Sequence, residues 1–422
     1  MHEAESSMSE EEFLRLGLGL TTAVGIFAVV RRSRAWAARS PVWSAWLSAR
    51  VHYALAGLVL SFTAPLAVRQ ALAGSADLAG VFLAGIAGIA VGCSFDLRLL
   101  KRWTSTQVWL EIAYGIAFAL LVWLLTQVYF YLDGSNWAGP RRTAVLWALC
   151  GLALGSWMRR RVEDAGKGAG WMPSLDAISG IFLAGLGLMQ IRAGSFAVRQ
   201  PFAFPQVIVV EGVVGAVLWC VVLGALVGLV VDLATREVRR GHLYFLVAAG
   251  LLLGCGMALA LGLEPLWVGL VAGGWLINAT VRRLDILRTL ERGQGLVRTV
   301  LPGAVGWSMG ALVVVGGLDW AFAGLILAIL LLGVPVVRFG VWHGAGRVFD
   351  RAAVRRTGIE PRHLLELDDL ALVIALGLAA VLPADQGAAL LAAVLVGQRL
   401  MHLAALWAAS RLGSLAGARG GG

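Results

Sequence analysis

Residues 206–240 read QVIVVEGVVGAVLWCVVLGALVGLVVDLATREVRR. An almost unbroken apolar run over 206–231 ends on Asp232 and three arginines, Arg236, Arg239 and Arg240. A hydrocarbon core of about 30 Å takes roughly 20 residues of helix, so this run can cross a membrane with tilt. The arginines behind it assign a side, because short basic loops stay cytoplasmic.

The same pattern repeats in both directions. Apolar segments occupy 14–30, 51–68, 78–95, 107–132, 143–158, 175–191, 206–231, 243–262, 265–280, 299–317, 319–341, 369–384 and 387–410. The gaps between them alternate in charge. Odd-numbered gaps carry runs such as Arg31, Arg32 and Arg34; Arg98, Lys101 and Arg102; Arg159, Arg160 and Arg161; and Arg282, Arg283, Arg288, Arg292 and Arg298. Even-numbered gaps hold only Arg69, Arg141, Arg142, Arg192 and Arg199. The reading is an all-α integral membrane protein of thirteen spans, with the N-terminus outside and the C-terminus inside. Residues 1–13 form an acidic external tail and 411–422 a Gly-rich cytoplasmic tail. Two halves, 14–205 and 232–410, are joined by the segment 206–231. Six segments on each side of that joint allow halves of inverted topology, a common transporter plan.

Composition agrees. Hydrophobic residues make up 59% of the 422 residues and charged residues 14%, against about 25% charged in soluble domains. The net charge of +10 follows from the cytoplasmic loops and suits anionic lipid rather than nucleic acid. Only two of the 35 basic residues are lysines, a bias that suggests a GC-rich bacterial source and hence a bacterial inner (plasma) membrane. Cys93, Cys150, Cys220 and Cys255 lie inside apolar segments without metal-ligand or disulfide spacing. No His/Asp/Glu cluster has catalytic spacing, so neither an enzyme nor a cofactor is expected. Trp36, Trp43, Trp46 and Leu47 among the arginines of 33–50 fit either a surface helix interrupted at Pro41 or an interfacial loop.

Three stretches carry a resemblance. Segment three ends Ala-Val-Gly-Cys-Ser-Phe-Asp-Leu-Arg-Leu-Leu-Lys-Arg over 90–102. This is similar to the Gly-Leu-Glu-(Leu/Met)-Asp-Leu-x-x-Leu-(Lys/Arg)-(Lys/Arg) helix end of monovalent cation:proton antiporters of the NhaA-type sodium/proton exchanger fold. Val-Gly-Leu-Val-Ala-Gly-Gly-Trp-Leu at 268–276, followed by the basic stretch 282–298, resembles that family's Gly-Ala-Phe-Leu-Ala-Gly-x-x-Leu helix and its charged loop. Leu-Asp-Asp-Leu-Ala-Leu-Val-Ile at 367–374 resembles the start of a further family helix. The resemblance implies a core domain with two crossed, broken helices, here segments five and twelve, beside a scaffold domain that forms a homodimer. It implies proton-coupled exchange of Na+ or K+ by alternating access. The family's acidic pair on segment six falls on Leu175 and Asp176, so only its second position is kept.

Antiport needs a carboxylate that alternates between a proton and a cation, and desolvation brings its titration toward working pH. Asp176 is the candidate coupling residue. A helix starting at Pro173 leaves it at the cytoplasmic mouth, whereas a start near Gly168 places it roughly 12 Å deeper. Asp369 opens segment twelve, where a helix cap and a transport role compete. Glu211 lies one turn inside a segment end, where snorkelling to the interface is the plain alternative. Arg399 stands in segment thirteen beside Gln398, with His402 on the same helical face. An arginine at that depth needs an internal partner, for which Asp176, Glu211 and Asp369 qualify. Otherwise Arg399 and His402 mark the cytoplasmic end of a shifted segment. Segment ten has no Lys or Arg between 300 and 317, which favours electroneutral exchange. Rival functions are a membrane scaffold or sensor subunit that keeps the fold without transporting, and an organic-anion transporter using helix N-termini.

Overall fold

The computed structural model describes residues 10–37, 50–100, 105–133, 139–155, 160–162, 170–172, 175–194, 212–236, 242–348 and 369–419. Within them the chain is helical apart from one antiparallel ribbon. That is what lipid dictates, since a helix satisfies its backbone groups within one segment. The helices are α1 (Glu10–Ala37), α2 (Val51–Thr63), α3 (Leu66–Ser94), α4 (Leu97–Leu100), α5 (Ser105–Asp133), α6 (Gly139–Gly155), α7 (Leu175–Gly194), α8 (Gly212–Thr235), α9 (Leu243–Ala260) and α10 (Pro265–Ala279). They continue with α11 (Arg283–Gly316), α12 (Trp320–Ala328), α13 (Val334–Val348), α14 (Asp369–Ala379) and α15 (Ala384–Arg419). The ribbon pairs β1 (Arg160–Val162) with β2 (Gly170–Met172).

Among the described residues six stretches are long and apolar enough to cross a membrane: Val108–Leu132, Val214–Thr235, Leu243–Ala260, Thr299–Gly316, Trp320–Ala345 and Ala384–Trp407. Seven shorter apolar helices of 10–17 residues lie between and before them. Several boundaries differ from the sequence reading, each for a local reason. The gap expected after residue 68 is helical, and the chain turns instead at Ala64–Pro65. Proline has no N–H and holds the residue before it extended. The charged stretch 282–298 is no loop but the first half of α11, continuous with the apolar second half through Pro302. Segment eleven contains a π-turn, Ile329–Gly333, two residues before Pro335, whose missing N–H removes one rung of the α-helical ladder. The helix of segment five is continuous over its described residues, whereas that of segment twelve ends at Ala379, and the chain turns through 380–383 before α15. The C-terminal stretch from residue 411 continues α15 through Arg419.

The helices sort into two bundles by their packing. The first holds α1, α2, α3, α8, α9, α10 and α11; the second holds α5, α6, α7, α12, α13, α14 and α15. Inside the bundles, small residues bring backbones together. A Cβ on Gly88 would strike the Leu266 carbonyl, and one on Gly269 the Gly85 carbonyl, so α3 and α10 run against each other without side chains between them. Gly57 and Gly306 do the same for α2 and α11, and Gly151 and Gly187 for α6 and α7. The bundles meet along a seam where α11 packs on α15, α14 on α3 and α11, and α7 on α10 and α8. At its centre α14 is apolar all round, with Leu370 through Leu376, Leu378 and Ala379 buried. A helix without a polar face belongs inside a bundle.

Candidate functional site

The polar residues of the seam gather at the first turn of α14. Asp369 is its first residue, a position where a carboxylate complements the positive end of the helix dipole. Gln398 on α15 donates from Nε2 to Asp369 Oδ1 at 3.3 Å. Arg399, the next residue, is attracted by Asp369 and repelled by Arg50 across the seam. Arg50 precedes α2 in a left-handed conformation, φ 55°, which a non-glycine residue adopts at a cost of order 1 kcal/mol. Its Nη1 donates to Thr299 Oγ1 on α11 at 3.5 Å. His402 stands half-buried one turn beyond Gln398.

The depth of this cluster follows from the span that carries it. Arg399 lies eight residues inside the end of Ala384–Trp407, about 12 Å along the axis at 1.5 Å per residue. Among the described residues the carboxylate that attracts it is Asp369. Asp369 is also engaged from a neighbouring helix, by Gln398.

Asp176 is the second residue of α7, which starts at Leu175. The deeper placement needs a helix from Gly168, and residues 170–172 instead form β2. Asp176 is thus in the first helical turn. Glu211 lies outside the described residues, as do the acidic start of the chain, 1–9, and residues 38–49 that include Pro41. Asp96 caps α4 by accepting from the Arg98 N–H at 2.9 Å and reaches Arg283 at 3.6 Å, joining the ends of α3 and α11. Asp232 pairs with Arg236 at 2.9 Å. Asn278 clamps the same face, accepting from Leu97 N–H and donating to the Phe95 carbonyl.

Two buried charged residues stand apart from this cluster. Arg338 is 1% exposed on α13, just after the π-turn. Tyr114 on α5 donates to its carbonyl at 3.2 Å. Glu264, before α10, is 2% exposed and was missed altogether. A signal was present: glutamate is not among the preferred N-cap residues, yet Glu264 precedes Pro265 at a helix start. Its side chain makes no cap hydrogen bond.

Among the described residues no group of three or more His, Cys, Asp or Glu could hold a metal ion. No family model matches the chain, and no curated protein matches it.

Proposed function

We propose that the protein is a secondary transporter that exchanges a monovalent cation, Na+ or K+, for protons by alternating access between its two bundles. The observation that carries this reading is Asp369. It is a carboxylate at the start of a fully packed short helix, inside the apolar region, on the seam where one bundle faces the other. Helix ends aimed into a membrane interior are how transporters hold ions near mid-depth. Asp176 remains the second carboxylate of the exchange, at the mouth of α7. His402 and Arg399 set the field around Asp369, and Glu211 is a further supporting charge of the proposal.

The finer architecture belongs to the same proposal: thirteen spans, N-terminus outside, two inverted halves about α8. The packing supports the halves. Exchange each helix for the one seven apolar segments later, so that α2 becomes α10 and α3 becomes α11. The pair α2 with α11 then turns into α10 with α3, and both are glycine-packed contacts. The same exchange turns α1–α2 into α9–α10, α5–α7 into α12–α15 and α6–α7 into α14–α15, all of which pack. An offset of seven, being odd, inverts the topology. The reading carries with it a homodimer formed through the first bundle and residence in a bacterial inner membrane.

The test is cation-driven proton flux in proteoliposomes, wild type against Asp369→Asn and Asp176→Asn. Exchange reduced at least tenfold in Asp369→Asn is the expected result. Absence of flux under any monovalent gradient overturns the transporter reading, and unchanged flux in one variant removes that residue alone. One observation favours the scaffold alternative: the protein's own Arg399 already supplies a positive charge that Asp369 attracts. On that alternative no gradient drives flux in the wild type or in Arg399→Gln.

A further inference from the structure

We propose that the seam binds a small oxyanion between Arg50 and Arg399, and that the bound anion ties the start of α2 to α15 across the two bundles. The inference goes beyond cation exchange and does not depend on it.

Charge is the first argument. Arg399 is attracted by Asp369 and repelled by Arg50, so two guanidiniums and a carboxylate act on one another at the seam. Counted over these three side chains, one positive charge is in excess, beside helices that are apolar along most of their length. Arg50 comes from the first bundle and Arg399 from the second, so their repulsion acts across the seam. Like charges in shielded surroundings are costly unless an opposite charge joins them. An anion between the two turns one repulsion into two attractions.

Donor geometry is the second. Arg50 is fixed at its base: its carbonyl accepts from the Tyr53 N–H at 3.1 Å and its backbone is left-handed. Its Nη1 reaches Thr299 Oγ1 at 3.5 Å, which holds the guanidinium toward α11. Arg399 supplies the opposite fork. Its Nε is buried and has no hydrogen-bond partner among the described residues. A buried donor of that kind calls for an acceptor, a water or an ion. Two planar forks match the paired oxygens of a carboxylate or a phosphate, which each can grip through two parallel hydrogen bonds.

Access is the third. Arg50, Thr299, Asp369, Arg399 and His402 are all half-buried, whereas Leu370 and Gln398 beside them are buried. The charged groups therefore line a cleft that a ligand can reach, and the packed core starts behind it. Thr299 is the first residue of the apolar stretch Thr299–Gly316, and Arg50 directly precedes the apolar helix Val51–Thr63. The cleft thus opens at the ends of both helices. A soluble oxyanion and the headgroup phosphate of an anionic lipid both arrive at such a level, and their chemistry toward the arginines is the same.

Thermal unfolding of the full-length protein in phosphatidylcholine nanodiscs reads the site, with inorganic phosphate titrated against chloride at equal ionic strength. The expected result is a wild-type midpoint that rises by about 2 °C or more and saturates. The rise is absent in Arg50→Gln and in Arg399→Gln. In Asp369→Asn, half-saturation falls to a phosphate concentration about threefold lower or less, because a competing negative charge is gone. That direction is opposite to the loss expected of cation exchange, so the two readings fail separately. Nanodiscs containing phosphatidylglycerol identify the source. With a lipid headgroup in the cleft, the wild-type midpoint is already raised there, the glutamine variants are not, and phosphate adds nothing. With a soluble anion, phosphate acts alike in both discs. No saturating rise in either disc overturns the proposal. An equal rise in wild type and both glutamine variants does so too, since phosphate then acts on folded surfaces in general. Binding no tighter in Asp369→Asn has the same consequence. Should the glutamine variants not assemble, Arg50→Lys and Arg399→Lys keep the charge and lose the fork; half-saturation unchanged in both overturns the proposal equally.

Discussion

Asp369 and Glu264 are two carboxyls in matching places on different walls. Each stands at the start of a short helix, on one side of the seam between the bundles. Asp369 is engaged from across the helices: its Oδ1 accepts from Gln398, and it attracts Arg399. Glu264 is 2% exposed in the turn before α10, where its backbone carbonyl faces the Cys220 thiol at 4.0 Å. Three residues on, Trp267 donates to the Ile181 carbonyl and stacks on Phe182 of α7. One wall thus meets its neighbour through a polar first turn, the other through an aromatic one.

The largest effect that would break this contrast comes from removing the engaged carboxyl. Asp369→Ala takes away the group that attracts half-buried Arg399 and accepts from Gln398, and leaving shielded polar and charged groups without it costs about 3 kcal/mol or more. The expected outcome is a thermal midpoint lowered by many degrees, or no monodisperse protein on size exclusion. Adding Arg399→Leu to Asp369→Ala restores most of the loss, because the unmatched charge goes with it. If the double variant is no more stable than the single one, Arg399 has another partner and the match at Asp369 is incidental.

That match also marks the limit of what the residues alone disclose. Hydropathy locates the apolar helices among the described residues, and an arginine inside one of them calls for an internal acid. Which acid answers depends on where helices begin, and that is set by neighbours. Asp176 changes depth by two helical turns according to whether α7 starts near Gly168 or at Leu175. The pause at Pro65 and the helical continuity of residues 283–316 are local, yet the first was overshadowed by apolar flanks and the second by its charge. Glu264 escaped because hydropathy shows only a two-residue break between two apolar segments, while its burial comes from how neighbouring helices pack around that turn. The division into two bundles is a property of pairwise packing that no single segment displays.

A middle-sized effect tests whether the two walls are mechanically joined. Gly185→Ala places a methyl where the Trp267 indole now lies, and overpacking a closed site costs typically about 1–3 kcal/mol. The thermal midpoint is expected to fall by several degrees. Adding Trp267→Phe, which keeps a ring beside Phe182 but is smaller than the indole, restores part of the loss. If the double variant is no more stable than Gly185→Ala alone, the methyl does not act through Trp267 and the two walls are not joined there.

The smallest effect is expected at the rim, where the same residue types stand under water. Asp96 accepts from the Arg98 N–H and reaches Arg283 at 3.6 Å, both side chains partly exposed. Asn at this position keeps an oxygen for the Arg98 amide and loses only the charge. Exposed pairs of this kind contribute about 0.2–1 kcal/mol and are screened by salt, so Asp96→Asn should move the thermal midpoint by a degree or two at low ionic strength and less in high salt. The comparison with Asp369 then rests on one chemical change, carboxylate to amide or alanine, made in two dielectric settings. A rim effect as large as that at Asp369 would mean that the ends of α3 and α11 are clamped by Asp96. In that case the contrast between interior and rim would lie in the number of contacts rather than in solvation.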